Sequence, residues 1–181
     1  MLILTSKNKR DDISNVVLIG MPGSGKSTLG REFSQKMNLG FLDCDEYIEH
    51  MEGQTLQQII NSRGAEEFKK TEEARLLELN LHHHVIAPGG SVVYYPRVIK
   101  HLRKSSILVF LKTTLDEIYP RLTNVSQRGI VGMKTNTLRY LFNERQPLYI
   151  KYADVVIDCT GKPKNRILEE MFRILKDKLK L

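Results

Sequence analysis

The chain has few cysteines and no long apolar run. Of its 181 residues only Cys44 and Cys159 are cysteines, and their spacing matches no metal or redox motif. We therefore expect a reduced, cytoplasmic protein. No apolar stretch approaches the roughly 20 residues that span a bilayer, and the apolar run 1–4 is too short for the core of a signal peptide. These absences predict a protein without a membrane partner.

The chain also lacks an aromatic-rich basic stripe, although its net charge is +7. Residues 162–181 carry a net charge of +4 and residues 1–14 carry +1, so most of the excess lies at the two ends. A basic face on a C-terminal helix is usually solvated, and its cations complement the helix dipole. Because no nucleic-acid motif is recognised, we expect no nucleic-acid partner.

Short apolar runs alternate with segments of helical periodicity. Strands are predicted at Val16–Ile19, Gly40–Asp43, His84–Ala87, Ile107–Leu111 and Ala153–Asp158. Helices are predicted at Lys26–Met37, Cys44–Met51, Thr55–Ser62, Ala65–Leu81, Pro96–Leu102, Leu115–Arg121, Asn136–Tyr149 and Lys164–Leu179. Strand–helix alternation implies right-handed crossovers and a parallel sheet covered on both faces. The expected fold is therefore α/β, with a single domain over residues 15–181.

Two segments are expected to lie outside this regular framework. Residues 1–14 are expected to form a flexible N-terminal arm. The segment 123–135 is polar, contains Gly129 and Gly132 and has no clear period. A mobile lid fits such a segment, and a plain surface loop has a similar composition.

The most informative motif is the run GMPGSGKS at residues 20–27. It fits the phosphate-loop pattern G-x-x-x-x-G-K-[ST] and lies between a predicted strand and a predicted helix. Glycines let backbone N–H groups surround an anion, and the helix N-terminus adds a partial positive charge. The motif predicts ATP binding, with Lys26 on the β- and γ-phosphates and Ser27 on Mg²⁺. The expected nucleotide-binding residues are Gly20, Pro22, Gly23, Ser24, Gly25, Lys26, Ser27 and Thr28.

A pair of carboxylates follows the first predicted helix, at Asp43 and Asp45. The two-residue period of a strand places them on the same side of an extended strand end, which opens toward the phosphate loop in a parallel sheet. One carboxylate can hold Mg²⁺ while the other orients or deprotonates an attacking hydroxyl. The alternative is that Asp45 is only a helix N-cap, and one residue can serve both purposes.

Further candidates are a glycine turn and two arginines. Gly89 and Gly90 follow a predicted strand, where glycine admits a close ligand or backbone segment, although an ordinary turn has a similar sequence. Arg128 lies in the segment 123–135, and Arg145 lies near a predicted helix end. Isolated arginines are more often surface charges than ligands. Arg128 gains weight because an arginine on a lid can neutralise charge on a transferring phosphoryl group.

Six motifs follow one another along the chain: GMPGSGKS, FLDCDEYIE, GAEEFKKTEE, PGGS, RLTNVSQR and ERQPLY. In these motifs and their order the chain resembles the shikimate kinase family, from about Val16 to the C-terminus. The resemblance implies a three-layer P-loop kinase fold, similar to that of nucleoside monophosphate kinases, with a central five-stranded parallel sheet and a mobile lid. It also implies transfer of the γ-phosphate of ATP to the 3-hydroxyl of shikimate, with Mg²⁺ as cofactor. We expect such an enzyme to be a monomer.

The resemblance implies roles for individual residues as well. Asp45 would bind the substrate hydroxyls and act as the base, and Asp43 would support Mg²⁺. Arg128 would be the lid arginine, and Arg145 would bind the substrate carboxylate. The remaining implied ligands are Arg121, Lys162 and Pro163 for the adenine, and Phe68, Lys69, Gly89 and Gly90 for the acceptor.

Two departures from the family pattern fall in the implied acceptor pocket. Lys69 stands where the family usually has an arginine that grips the carboxylate, and lysine lacks the planar fork for bidentate pairing. Where the family typically has three consecutive glycines, this chain has only two, in the run Pro88–Ser91. Neither departure touches the ATP side, so the resemblance supports ATP-dependent phosphoryl transfer more strongly than it supports the leading acceptor, shikimate. The alternatives are a kinase for another small hydroxylated acid and a non-catalytic nucleotide-binding module.

Overall fold

Five parallel strands form the centre of the computed structural model, which describes residues 13–122 and 138–180. The strands are β1 (Asn15–Ile19), β2 (Gly40–Asp43), β3 (His84–Ala87), β4 (Ser106–Lys112) and β5 (Val155–Asp158). They hydrogen-bond in the order β2-β3-β1-β4-β5, and every neighbouring pair is parallel. The predicted α/β fold with a five-stranded parallel sheet is confirmed.

Helices connect the strands and cover the sheet. They are α1 (Lys26–Met37), α2 (Cys44–Glu52), α3 (Leu56–Arg63), α4 (Ala65–Leu77), α5 (Pro96–Leu102), α6 (Leu115–Leu122), α7 (Leu138–Tyr152) and α8 (Lys164–Leu175). A short 3₁₀ helix, Gly90–Tyr94, follows β3. No helix in the described ranges is both long and apolar enough to cross a membrane.

The sheet separates two apolar clusters, one on each face. In β1, Val17 and Ile19 belong to one cluster and Val16 and Leu18 to the other, as the two-residue period of a strand requires. Helices α4, α5 and α7 contribute to the first cluster, and α1 and α8 to the second. Every residue of β1 is buried, which explains the uninterrupted apolar run that precedes the phosphate loop.

A smaller apolar cluster joins α2, α3 and α4 beside the sheet. It consists of Ile48, Leu56, Ile59 and Phe68. A capping box fixes the start of α3, because Thr55 and Gln58 each accept a hydrogen bond from the other's backbone N–H. The cluster holds α4 near the carboxyl end of β2, so the helix that carries Phe68 lies beside the aspartate pair.

The two ends of the described chain meet. Helix α8 ends at Leu175, before its predicted end at Leu179. The backbone N–H of Lys180 donates to the carbonyl of Ile13. Ser14 is buried and hydrogen-bonded through its own backbone N–H. The last two residues of the predicted flexible arm are therefore packed against the domain. The rest of that arm, 1–12, lies outside the described residues.

Helix α7 ends later than predicted. It continues through Pro147, as predicted, and ends at Tyr152 instead of Tyr149. Tyr149 is fully buried and stacks on Phe110 of β4, with ring centroids 5.1 Å apart, so tertiary packing outweighs the missing proline N–H. The other differences of more than one residue are the earlier end of α4 at Leu77, the later start of β5 at Val155 and the unpredicted 3₁₀ helix Gly90–Tyr94. The predicted lid, 123–135, lies outside the described residues.

Removing the Phe110 ring should destabilise the domain strongly. Phe110 is fully buried, and Phe110→Ala should lower the free energy of unfolding by about 3–5 kcal/mol through lost burial and a cavity. Tyr119→Ala is the control, because Tyr119 is 61% exposed and the expected change is within about 0.5 kcal/mol. Chemical denaturation measures both, and equal losses in the two variants would contradict the assigned core.

Candidate active site

The phosphate loop connects β1 to the N-terminus of α1. Gly23 and Gly25 have φ angles of +77° and +95°, a region that favours glycine, and Gly25 caps α1 without a side-chain hydrogen bond. The first N–H groups of α1 and its dipole therefore remain available to an anion. Lys26 is 9% exposed, and its Nζ donates to the carbonyls of Gly20 and Met21 at 3.0 Å. The loop conformation thus has the form that phosphate binding requires.

A cavity of about 490 Å³ extends from this loop across the carboxyl ends of the neighbouring strands. Fifteen predicted site residues line it: Pro22, Gly23, Ser24, Gly25, Lys26, Ser27, Thr28, Asp43, Asp45, Phe68, Gly89, Gly90, Arg121, Arg145 and Lys162. Three do not line it: Gly20, Lys69 and Pro163. Arg128 lies outside the described residues. One cavity therefore brings the predicted nucleotide and acceptor residues together.

The two aspartates have different structural positions. Asp43 ends β2 and caps α2, and its Oδ1 accepts a hydrogen bond of 3.0 Å from the backbone N–H of Asp45. Asp45 lies in the first turn of α2, because the chain becomes helical at Cys44 instead of staying extended. The expectation of two side chains on one extended strand end is therefore wrong in its geometry. The capping alternative for Asp45 is also wrong, since the cap is Asp43.

The oxygen donors beside the phosphate loop fit Mg²⁺. Ser27, in the first turn of α1, offers a hydroxyl. Asp43 offers a carboxylate, and the hydrogen bond that caps α2 occupies only one of its two oxygens. Mg²⁺ prefers oxygen ligands and is usually held by one or two protein groups together with substrate phosphates. No cluster of three His, Cys, Asp or Glu side chains able to hold a metal occurs in residues 13–122 and 138–180.

The glycine turn after β3 is a point of close approach. A Cβ added at Gly89 would lie 2.7 Å from Glu72 Oε1 and 3.2 Å from Asp45 Oδ1. A Cβ added at Gly90 would lie 2.8 Å from Pro22 Cδ and 3.1 Å from Arg145 Nη1. Glycine is required here because the acidic groups, the phosphate loop and Arg145 all converge on the same backbone.

Arg145 is a buried residue of α7 rather than a surface charge near a helix end. Its exposed fraction is 1%, and its guanidinium lies over the Tyr94 ring, 5.0 Å from the ring centroid. Its Nε donates to the Tyr94 hydroxyl at 3.1 Å. A fully buried guanidinium at a cavity wall is well placed to pair with a bound carboxylate.

Lys69 does not line the cavity. It lies on α4, one turn after Glu66, and its Nζ is 2.6 Å from Glu66 Oε1. The lysine side chain is 37% exposed. The predicted acceptor ligand is therefore held in a surface ion pair, outside the residues that line the cavity. Pro88, the second departure noted in the sequence, does line it.

Glu72 is a site residue that the sequence analysis does not single out. It is 2% exposed, lines the cavity, and accepts hydrogen bonds of 2.7 Å from the hydroxyls of Ser91 and Tyr95. Burial raises the Glu72 pKa, and the two hydroxyls and the charge of Arg145 oppose that shift. The available signal was its spacing of four residues from Phe68, which places both on one face of α4.

The far end of the cavity is organised by α6. Arg121 Nη1 donates to the carbonyl of Gly23 at 3.1 Å, which joins α6 to the phosphate loop. Glu117 Oε1 accepts from the backbone N–H of Gly161 at 2.8 Å, which joins α6 to the loop that contains the predicted adenine ligands Lys162 and Pro163. The backbone hydrogen bond from Gly161 is the main cause of a lowered Glu117 pKa. Lys162 follows in that loop and also lines the cavity.

The family model for shikimate kinase matches residues 22–176. This chain belongs to the shikimate kinase family. A shikimate kinase from Caldanaerobacter subterraneus subsp. tengcongensis is 33% identical over 164 residues, which are 89% of this chain and 95% of the relative. One from Paracidovorax citrulli is 36% identical over 148 residues, 79% of this chain and 81% of the relative.

A solved shikimate kinase has the same architecture. The enzyme from Acinetobacter baumannii, in complex with shikimate, has a TM-score of 0.82 and 29% identity, and the match covers 93% of this chain and 96% of that one. The P-loop kinase fold expected from the family resemblance is thereby confirmed.

The buried Glu72 carboxylate should reduce stability at neutral pH. Because its pKa is raised, the protonated form favours folding, and that contribution is lost as pH rises from the ordinary value of 4.5 through the raised value. Glu72→Gln does not titrate, so its melting temperature relative to wild type should rise as the pH increases from about 4, until the raised pKa of Glu72 is passed. Glu73→Gln on the same helix is the control. A melting-temperature difference that stays constant or shrinks with pH would contradict the assignment.

Proposed function

We propose that this chain transfers the γ-phosphoryl group of ATP to the 3-hydroxyl of shikimate. The observation that carries the proposal is that Lys26, Asp45 and Arg145 line one cavity. A phosphate ligand, a base and a buried guanidinium suit an acceptor that has both a hydroxyl and a carboxylate. Family membership and the similarity to an enzyme whose structure contains shikimate support the same acceptor.

The residues divide the work between positioning and charge. The α1 N-terminus and Lys26 hold the transferring phosphoryl group, and Arg145 pairs with the acceptor carboxylate. Asp45 orients the acceptor hydroxyl and accepts its proton. Mg²⁺, held by Ser27 and Asp43, would neutralise charge on the β- and γ-phosphates. Arg121 and Lys162 contact the nucleotide at the opposite end of the cavity.

Three further parts of the proposal come from the family resemblance. Arg128, which lies outside the described residues, would neutralise charge on the transferring phosphoryl group, as the resemblance implies for a lid arginine. Gly20 and Pro163 contribute to the nucleotide site through the loop and the start of α8. The enzyme acts as a cytoplasmic monomer.

Asp45→Asn should separate chemistry from nucleotide binding. The amide cannot accept the hydroxyl proton, so kcat should fall roughly 10²–10⁴-fold, while the affinity for ATP stays within about twofold of wild type. Asp116→Asn, on the first turn of α6, is the charge-matched control. ADP formation with shikimate and nucleotide titration measure the two quantities. A folded Asp45→Asn variant with wild-type kcat would remove Asp45 from the mechanism.

A kinase for a different hydroxylated acid is the second candidate, because Lys69 is held by Glu66 outside the cavity. If shikimate is the acceptor, Lys69→Arg should keep or increase kcat/KM for shikimate, since the guanidinium offers a bidentate grip. Turnover of shikimate, related cyclic hydroxy acids and gluconate by both proteins tests this. Efficient turnover of gluconate with none of shikimate, by a folded wild-type protein that binds ATP, would favour the second candidate.

A further inference from the structure

Two adjacent tyrosines follow the glycine turn, and each contacts a different charged residue of the acceptor end. Tyr94 ends the 3₁₀ helix and Tyr95 follows it, directly before α5. Tyr94 is half-buried and Tyr95 is buried. Tyr94 bonds Arg145 and Tyr95 bonds Glu72, so one dipeptide reaches both the cation and the buried anion of the cavity wall.

Tyr95 is one of two hydroxyl donors to Glu72. Its hydroxyl donates to Oε2 at 2.7 Å, and Ser91 donates to both carboxylate oxygens at 2.7 Å. Hydrogen bonds to a buried carboxylate favour its charged form, whereas burial disfavours it. The balance therefore depends on both hydroxyls. Neither donor is carried by α4, so the 3₁₀ helix and the residue after it set the position and charge of Glu72.

Tyr94 holds Arg145 in a different way. Its hydroxyl accepts from Arg145 Nε at 3.1 Å and donates to Glu144 Oε2 at 2.8 Å. Donation to a carboxylate makes the phenol oxygen a better acceptor for the guanidinium. Burial raises the Tyr94 pKa, so the phenol stays neutral at pH 7. The ring beneath the guanidinium adds a cation–π contact.

We propose that Tyr94 and Tyr95 are positioning residues for the acceptor. Tyr94 orients the Arg145 guanidinium toward the acceptor carboxylate. Tyr95 keeps Glu72 ionised and in place beside Asp45. In that position Glu72 accepts a hydrogen bond from an acceptor hydroxyl. The two carboxylates flank the position that a Gly89 Cβ would occupy, at 2.7 and 3.2 Å. This inference rests on the proposed function, because it assumes an acceptor with a carboxylate and hydroxyl groups.

Several charged and titratable groups face Glu72 from the elements packed around it. Asp45 and Cys44 lie on α2, Ser91 and Tyr95 lie in or after the 3₁₀ helix, and Arg145 and Tyr149 lie on α7. Cys44 and Tyr149 have raised pKa values, mainly through burial, and stay neutral at pH 7. Arg145 is then the cation that favours an ionised Glu72, and Asp45 is an anion beside the same turn.

The test for Tyr94 uses Tyr94→Phe, which keeps the ring and removes only the hydroxyl. KM for shikimate should rise about 10-fold, while KM for ATP stays within about twofold. The methyl ester of shikimate, which has no carboxylate, should show a change of about twofold or less, because Tyr94 acts through Arg145. An equal rise in KM for the acid and the ester would overturn this half of the proposal.

The test for Tyr95 uses Tyr95→Phe and the pH dependence of kcat/KM for shikimate. Loss of one donor favours the protonated form of the Glu72 carboxyl. The value of kcat/KM at about pH 6 divided by its value at about pH 8 should therefore fall at least about threefold relative to wild type. In a Glu72→Gln background the same substitution should cause no further change in that ratio. An unchanged pH profile, or full additivity with Glu72→Gln, would overturn this half.

Tyr119→Phe is the matched control, since Tyr119 is exposed and does not line the cavity. Melting temperatures identify variants that are merely unfolded. If Tyr95→Phe does not fold, Ser91→Ala removes the other donor to Glu72 and should shift the pH profile in the same direction. Wild-type turnover of shikimate separates the two claims: its absence refutes the proposed function, whereas normal wild-type turnover with unaffected variants refutes only the tyrosine proposal.

Discussion

The contact between the phosphate loop and the glycine turn after β3 is the constraint on which the site depends. β1 and β3 are neighbours in the sheet, so the loop after one and the turn after the other meet at the same edge. A Cβ at Gly90 would lie 2.8 Å from Pro22 Cδ, which leaves no room for a side chain between them. This contact joins a nucleotide half and an acceptor half into one cavity.

The acceptor half stabilises unlike charges at the same backbone turn. Asp45 and Glu72 approach Gly89, and Arg145 approaches Gly90. Each charged group is held by a different element, so the arrangement depends on the packing of α2, α4 and α7 around the 3₁₀ helix. Buried charges of this kind usually oppose stability. Retaining Glu72 in a buried position is more consistent with a role in ligand binding than with a role in folding.

Local sequence patterns predict the nucleotide half well. GMPGSGKS after an apolar run specifies strand, loop and helix within a dozen or so residues, and α1 begins and ends as predicted. Strands β1 and β4 are also predicted closely, because burial on both faces makes them nearly continuous apolar runs. Helix ends are less predictable: α7 runs past the predicted end at Tyr149 to Tyr152, which packs against the first apolar cluster through contacts with distant parts of the chain.

Local sequence patterns predict the acceptor half of the site less well. The aspartate pair is found by its spacing, but a helix that begins at Cys44, as predicted, places Asp45 in its first turn and makes Asp43 the cap, so the pair is not extended. Glu72 resembles any other helix glutamate until α4 is packed against the 3₁₀ helix. The sequence also does not reveal which charged side chains are exposed and which are buried, as Lys69 and Arg145 show. The lysine is held by Glu66 at the surface, and the arginine is fully buried.

The most direct test is a crystal structure of the protein with ADP and shikimate. We expect both ligands in the one cavity, with the shikimate carboxylate paired to Arg145 and the 3-hydroxyl within hydrogen-bond distance of Asp45, facing the phosphate loop. Shikimate bound with its carboxylate away from Arg145, or with its 3-hydroxyl out of reach of Asp45, would contradict it.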